Sequence, residues 1–172
     1  MIPAEKYVEQ AQTGKYLGIS YDKLDCQAFV EKVLSDAGEK GHDWRGTNDM
    51  WRNALTVKRD IVDIADIPAG AWVFTLKHDG GEKDRGYYDD EGNATHVGIY
   101  LGAGSVMHST KTATANGVQL DMVTSSRWTH YGLCKYINFG SGEDAENLRD
   151  LVKRLGTVTI YDLYQAMRDE WG

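Results

Sequence analysis

The residue types that could form a nucleophile and its base are a cysteine and two histidines, and the cysteine stands in a distinctive setting. Cys26 follows Asp25 within the segment "YDKLDCQAFVEKVL", and the chain has one other cysteine, Cys134. The positive end of a helix stabilises a thiolate, which is the reactive form of the side chain. A thiol here could be a nucleophile, a metal ligand, half of a disulfide or, most often, part of the core.

A cysteine nucleophile needs a base, and two of the five histidines lie in strand-like segments. His96 opens "HVGIYLG" and His108 lies in "SVMHST", with a glycine-rich turn between them. Adjacent antiparallel strands would bring them close enough for one histidine to orient the other. The plainer alternative is a pair of half-exposed strand histidines. The other three occur in polar, loop-like segments: His42, His78 and His130.

The segment that carries Cys26 predicts a helix over about residues 25–37. Its apolar residues recur three, four or seven positions apart, and Gly38 follows as a stop signal. Cys26 would then lie in the first turn, on the apolar face. "PAEKYVEQAQ" favours another helix before it, and "GTNDMWRNAL" a short helix after it.

The residues between the third predicted helix and residue 140 predict mainly strands. "IPAGAWVFTL" indicates a turn and a strand, "THVGIYLGAGSVMHST" a β-hairpin, and "NGVQLDMV" and "YGLCKYINF" two further strands. A polar loop covers about residues 78–94. Helices followed by antiparallel strands predict an α+β domain over residues 1–140, with the helices packed on a small sheet. Residues 141–172 predict a C-terminal helical appendage.

Composition narrows the classes of protein. The chain has 172 residues, of which 41% are hydrophobic, as expected for a globular domain. A net charge of −7 argues against a nucleic-acid binder. No apolar run approaches the roughly 18 residues of a membrane span, and the N-terminus lacks a signal-peptide pattern. The host and any route of export stay open, and a phage- or mobile-element-borne lysin would fit.

Three segments, taken in order, resemble the NlpC-type cysteine peptidases, papain-like enzymes that cut the peptide stems of the bacterial cell wall. They are "LDCQAFVEKVL", "IPAGAWVF" and "THVGIYLGAGSVMHST", and the resemblance covers about residues 16–139. Gln27 and Ala28 replace the Ser-Gly that follows the family's cysteine, and the turn at Gly70 and Ala71 lacks the family's Asp. The resemblance implies a papain-like NlpC fold, with N-terminal helices on a small antiparallel sheet.

The resemblance also implies the reaction and its principal residues. Cys26 is expected to be the nucleophile, His96 the general base and His108 the residue that orients His96. The expected activity is a cysteine endopeptidase acting on peptidoglycan stem peptides, at the bond between D-glutamate and the diamino residue. No cofactor is expected, since the thiol and the imidazole carry the chemistry.

Further site residues follow from the same resemblance. The family has a tyrosine upstream of the cysteine, near the substrate and the oxyanion, and Tyr16 is the first choice for it, with Tyr21 as the other candidate. The backbone N–H of Cys26 is the expected oxyanion donor. Asp25 is expected to cap the helix start.

Two alternatives stay open. A CHAP-like N-acetylmuramoyl-L-alanine amidase, or another papain-like acyl-transfer enzyme, would use the same order of cysteine and histidine. A non-enzymatic wall- or metal-binding module could instead hold zinc with Cys26, His96 and His108. Cys134 is expected to be a buried structural thiol, although a disulfide with Cys26 is possible from sequence.

Overall fold

The protein's structure, a computed structural model, describes residues 1–124 and 127–140. Within them, helices precede most of the strands. The helices are α1 (Ala4–Ala11), α2 (Cys26–Asp36) and α3 (Thr47–Asn53). The strands are β1 (Ile2–Pro3), β2 (Leu55–Asp60), β3 (Trp72–Lys77), β4 (Asn93–Gly102), β5 (Ser105–Lys111), β6 (Asn116–Met122), β7 (His130–Cys134) and β8 (Ile137–Asn138).

The described strands form one main antiparallel sheet with helices packed on it. Its order is β2-β7-β3-β4-β5-β6, and β1 pairs in parallel with β8 outside it. Helix α2 contacts β4 and β5, the two strands of the predicted hairpin, and α3 contacts β4. The predicted α+β class is therefore confirmed.

Helix α2 begins at the cysteine because the residue before it is a good N-cap. Asp25 has extended backbone angles, and its Oδ1 accepts a hydrogen bond of 2.8 Å from the Ala28 N–H. The apolar face of α2 is buried in the main core, including Phe29, Val30 and Val33. The predicted helix is thus present, shorter by one residue at each end.

Strand β4 separates two clusters of buried side chains, because successive residues of a strand point to opposite faces. Val97 and Ile99 pack in the main core beneath α2. Tyr100 belongs to a second cluster, together with Val106 of β5 and Trp128. Alternate side chains of β4 therefore point toward α2, the helix that carries the cysteine, and toward the second cluster on the opposite face of the sheet.

Two parts of the fold differ from the sequence analysis or lie beyond it. Strand β2, which the sequence analysis did not predict, pairs with β7 at the edge of the sheet. The predicted appendage at residues 141–172 lies outside the described residues. Among the described helices, none is long and apolar enough to cross a membrane.

Candidate active site

The two strand histidines meet across the β4–β5 hairpin. His96 Nε2 lies 2.8 Å from His108 Nδ1, and the rings are nearly perpendicular at 88°. Gly98 lies one residue beyond the last β4–β5 pair on this side, Ile99 with Met107, and faces His108. A Cβ on Gly98 would lie 3.0 Å from the His108 Cβ and 3.0 Å from the Trp128 ring. Because glycine has no side chain, His108 and Trp128 can pack directly over β4 at this position.

The thiol of Cys26 lies at the same end of β4. The backbone N–H of Val97 acts on its sulfur to lower the pKa of the thiol, and the Tyr21 hydroxyl is 4.0 Å from Sγ. The pairing of β4 with β5 runs only as far as Ile99, so the Val97 N–H is available to the thiol. Within the described residues, no direct hydrogen bond joins Sγ to His96, the residue that precedes Val97.

The two candidate tyrosines have different surroundings. The Tyr16 hydroxyl donates to Asp36 Oδ2 at 2.8 Å and accepts from Gln10, and its ring packs against Phe29. Tyr16 thus joins α1 to α2 in the core rather than approaching the thiol. Tyr21 is the tyrosine that borders the sulfur, and burial raises its pKa to about 12, so its hydroxyl stays protonated at neutral pH.

The segment that carries Tyr21 is fixed to the edge of the sheet. Gly18 N–H donates to Val118 O, and Val118 N–H donates to Ile19 O, each at 3.0 Å. Farther along, Ser109 Oγ donates to Leu24 O at 2.5 Å. These bonds to β5 and β6 hold the approach to α2 in place, and with it the start of the helix at Cys26.

Burial sets the resting charge of the candidate nucleophile and base. It raises the pKa of the Cys26 thiol, and the N–H of Val97 and the Tyr21 hydroxyl offset this only in part. Burial lowers the pKa of His96, and the neighbouring His108 and Arg127 lower it further. Both pKa shifts favour a neutral thiol and a neutral imidazole at rest. The helix start, which favours a thiolate, does not outweigh the burial of the sulfur.

Three side chains that the sequence analysis did not assign to the site surround the histidine pair. Trp128 packs against both imidazoles, with ring centroids 5.3 Å from His96 and 5.2 Å from His108. Arg127 Nη2 is 3.4 Å from His96 Nε2. Asp121 Oδ2 is 3.5 Å from His108 Nε2, an ion-pair distance that does not satisfy hydrogen-bond geometry.

A cavity of about 480 Å³ opens beside the pair. It is lined by Tyr21, Thr75, Lys77, Thr95, His96, Thr110, Lys111, Thr112 and Arg127. Cys26 is not in this lining, but Tyr21, which borders its sulfur, is. A larger cavity of about 760 Å³ lies around β2 and β7, and its lining includes neither Tyr21 nor His96. We assign the smaller cavity as the candidate active-site cleft, because it contains Tyr21 and His96.

The remaining histidines and the second cysteine lie elsewhere. His42 stacks on Trp44, and His130 Nε2 lies 2.7 Å from Asp60 Oδ1. Both cysteines are free thiols, and Cys134 is buried, so the possible disulfide is absent. The described residues contain no group of three or more histidine, cysteine or acidic side chains arranged to hold a metal ion, and thus give no support to the metal-binding alternative.

Comparison with known proteins identifies relatives of the chain. A sequence model of the NlpC/P60 family matches residues 10–136. The solved NlpC/p60 domain of the peptidoglycan hydrolase SagA is similar, with a TM-score of 0.53 and 16% identity over 77% of this chain and 99% of that one. For the peptidoglycan hydrolase RipB of Mycobacterium tuberculosis, the TM-score is 0.51 with 20% identity, over 76% of this chain and 65% of that one.

A further similar structure is the P60 domain of an antigen from M. avium subspecies paratuberculosis. Its TM-score is 0.52 with 18% identity, over 76% of this chain and 96% of that one. No curated protein matches the chain. At these identities the structural likeness shows a shared fold, which confirms the fold that the sequence predicted.

Proposed function

Because the chain belongs to the NlpC/P60 family, we propose that it is a cysteine endopeptidase that hydrolyses amide bonds in the peptide stems of bacterial peptidoglycan. The bond we propose joins D-glutamate to the diamino residue that follows it. SagA and RipB, two proteins of similar fold, are both described as peptidoglycan hydrolases, which supports this substrate class.

The observation that carries the proposal is the contact of His96 Nε2 with His108 Nδ1 at the end of β4 where the Cys26 sulfur lies. If His96 donates its Nε2–H to His108, its Nδ1 is unprotonated and can accept a proton. That arrangement suits a general base toward a thiol. His108 then acts as a positioning residue, because it fixes the tautomer and the orientation of the base.

The proposed reaction has two steps. His96 takes the thiol proton as Cys26 Sγ attacks the scissile carbonyl carbon, and the imidazolium then protonates the leaving amine as the C–N bond breaks. His96, neutral again, takes a proton from a water molecule that attacks the thioester carbonyl. The C–S bond then breaks, the imidazolium returns its proton to the leaving thiolate, and the new carboxyl group is released. The Cys26 N–H at the start of α2 is the proposed donor to the oxyanion, with Tyr21 beside it.

The test is digestion of purified muropeptides, with the products identified by mass spectrometry. The proposal predicts a new amino terminus on the diamino residue and intact bonds between sugar and peptide. Release of the whole peptide from the lactyl group of the sugar would instead indicate the amidase. Cys26→Ala should abolish digestion, whereas Cys134→Ala, a matched change of the other buried thiol, should retain it.

A further inference from the structure

Arg127 occupies a position between the base and the cleft. Its Nη2 donates to Thr110 Oγ1 at 2.7 Å and lies 3.4 Å from His96 Nε2. Its Nη1 lies 3.8 Å from Asp121 Oδ2, and about a third of the side chain is exposed. The guanidinium also packs over the Trp128 ring. It therefore touches the catalytic histidine of the proposal and faces the cleft as well.

Without a bound substrate, Arg127 at this position hinders His96 as a base. A guanidinium only donates hydrogen bonds, so Arg127 competes for the same nitrogen that His96 needs for its bond to His108. An N–H directed at His96 Nε2 favours the tautomer with a proton on Nδ1, which cannot accept one from a thiol. A cation here also opposes the imidazolium that forms during the reaction. Asp121 offsets that charge only weakly, because the ion pair is long, at 3.8 Å, and both side chains are partly exposed to water.

The charge of the cleft lining explains why an arginine at this position is useful. Its described lining contains three cationic side chains, Lys77, Lys111 and Arg127, together with four threonines and no acidic residue. The whole chain, by contrast, carries a net charge of −7. Lys111 is already paired with Asp22 at 2.8 Å. A cationic cleft in an acidic protein favours a ligand with a carboxylate.

We propose that Arg127 is a specificity-determining residue that binds a free carboxylate of the substrate beside the scissile bond and, in doing so, turns its N–H groups away from His96. The choice of substrate rests on the proposed function. A D-glutamyl residue linked through its side-chain carboxyl group leaves its α-carboxylate free, and that group is the proposed ligand. His96 and His108 are already in contact, so binding of the correct substrate would not create that bond but would favour the tautomer in which His96 Nε2 donates to His108 and Nδ1 can act as the base.

The test compares two tripeptides, L-Ala-γ-D-Glu-L-Lys and the same peptide with the glutamyl α-carboxylate converted to a carboxamide. Binding is measured by calorimetry in a Cys26→Ala background, so that no turnover is required. We expect the carboxylate peptide to bind about 10- to 100-fold more tightly, the range typical of a hydrogen bond to a charged group. Arg127→Met should remove this preference. Arg85→Met, a matched change of an exposed arginine outside the cleft lining, should keep it.

A second variant and a second readout separate specificity from a structural role. Arg127→Lys keeps the cation and should retain part of the preference. In the active enzyme, Arg127→Met should raise the pKa of His96, so the loss of kcat/KM on acidification should begin at a higher pH than in wild type. The inference would be overturned if the protein with Arg127 unchanged bound the two tripeptides equally. It would also be overturned if the preference for the carboxylate peptide survived Arg127→Met. A preference without cleavage of either peptide would instead contradict the proposed function and leave the role of Arg127 supported.

Discussion

Nε2 of His96 and Nδ1 of His108 lie 2.8 Å apart on neighbouring strands, with their rings nearly perpendicular. One nitrogen of this contact must carry a hydrogen and the other a lone pair. When His96 is the donor, its other nitrogen is a proton acceptor. The contact therefore decides whether His96 can serve as a base, and a change to either partner should change the reaction more than the fold.

His108→Ala should lower kcat/KM for stem-peptide hydrolysis by about 100-fold, because His96 loses the acceptor that fixes its tautomer. His108→Asn should recover part of this loss, since an amide oxygen can accept the Nε2–H. The activity of both variants is measured as product release from the L-Ala-γ-D-Glu-L-Lys tripeptide, and circular dichroism verifies that they fold. Equal activity of wild type and His108→Ala would show that the contact has no catalytic role.

Gly98→Ala should damage both stability and activity. Its added methyl group would meet Val106 at 2.9 Å and His108 and Trp128 at 3.0 Å, so Val106 must shift and the packing around the histidine pair must adjust. We expect a loss of about 1–3 kcal/mol in the free energy of unfolding, measured in urea, and a lower kcat.

Gly132→Ala is the matched control for this change. It adds a methyl group to another strand glycine, and that group would press against Leu55, away from the cleft lining. It should cost stability without a comparable fall in the kcat of the folded enzyme. If both variants lowered kcat alike, the effect of Gly98→Ala would not come from the histidine pair.

The pH dependence of Cys26 alkylation tests the neutral resting state. Burial raises the pKa of the thiol, so the thiolate forms only as the pH rises beyond the ordinary value of about 8.5. The rate of reaction with iodoacetamide, measured in a Cys134→Ala background, should therefore increase at a higher pH than that of glutathione. A plateau already present at pH 6 would indicate a preformed thiolate–imidazolium pair instead.

Arg52 should stabilise the loop between β3 and β4. Its side chain is almost fully buried and donates to Asp89 Oδ2 at 2.7 Å, Gly92 O at 2.9 Å and Asn48 Oδ1 at 3.0 Å. Arg52→Met removes this donor from Asp89 and from the Gly92 carbonyl, while Asn48 Oδ1 keeps its bond from the Ala94 N–H at 2.9 Å, and the change should cost about 1–3 kcal/mol in urea unfolding. Arg85→Met, in the same loop but exposed, should change stability by less than about 0.5 kcal/mol.

The contribution of the Arg52–Asp89 contact to the free energy of unfolding should decrease as the pH falls. Arg52 lowers the pKa of Asp89 to about 2 in the folded protein. Its stabilising effect is therefore fully present above the ordinary carboxyl pKa of about 4 and is lost as the pH falls toward 2. The difference in stability between wild type and Arg52→Met should shrink over that range, and a difference that grew would contradict this account.

The parts of the fold that sequence could predict are those set by local pattern. The apolar periodicity after Cys26 predicted α2 to within one residue at each end, because each such residue packs in the core. The segment of β2, by contrast, is "LTVKRD", which alternates apolar and polar residues only over its first four positions and ends in three charged residues. Its stability as an edge strand comes from pairing with β7, a distant segment of the chain.

The same distinction applies to the site. The spacing of His96 and His108 around a glycine-rich turn was enough to predict that they lie close together. Arg127 and Trp128 reach them from the segment between β6 and β7, and no local pattern reveals which strands that segment covers. The choice between Tyr16 and Tyr21 depends likewise on contacts of their loop with β5 and β6.

The most direct test of the proposed mechanism is the mass of the intact protein, quenched in acid during turnover of the L-Ala-γ-D-Glu-L-Lys tripeptide. The account predicts a species heavier by the L-Ala-D-Glu acyl group, with the adduct on Cys26. It should be present in Cys134→Ala and absent from Cys26→Ala, which should also fail to cleave the peptide. An adduct on a different residue, or cleavage by Cys26→Ala at the wild-type rate, would contradict the assignment of Cys26 as the nucleophile.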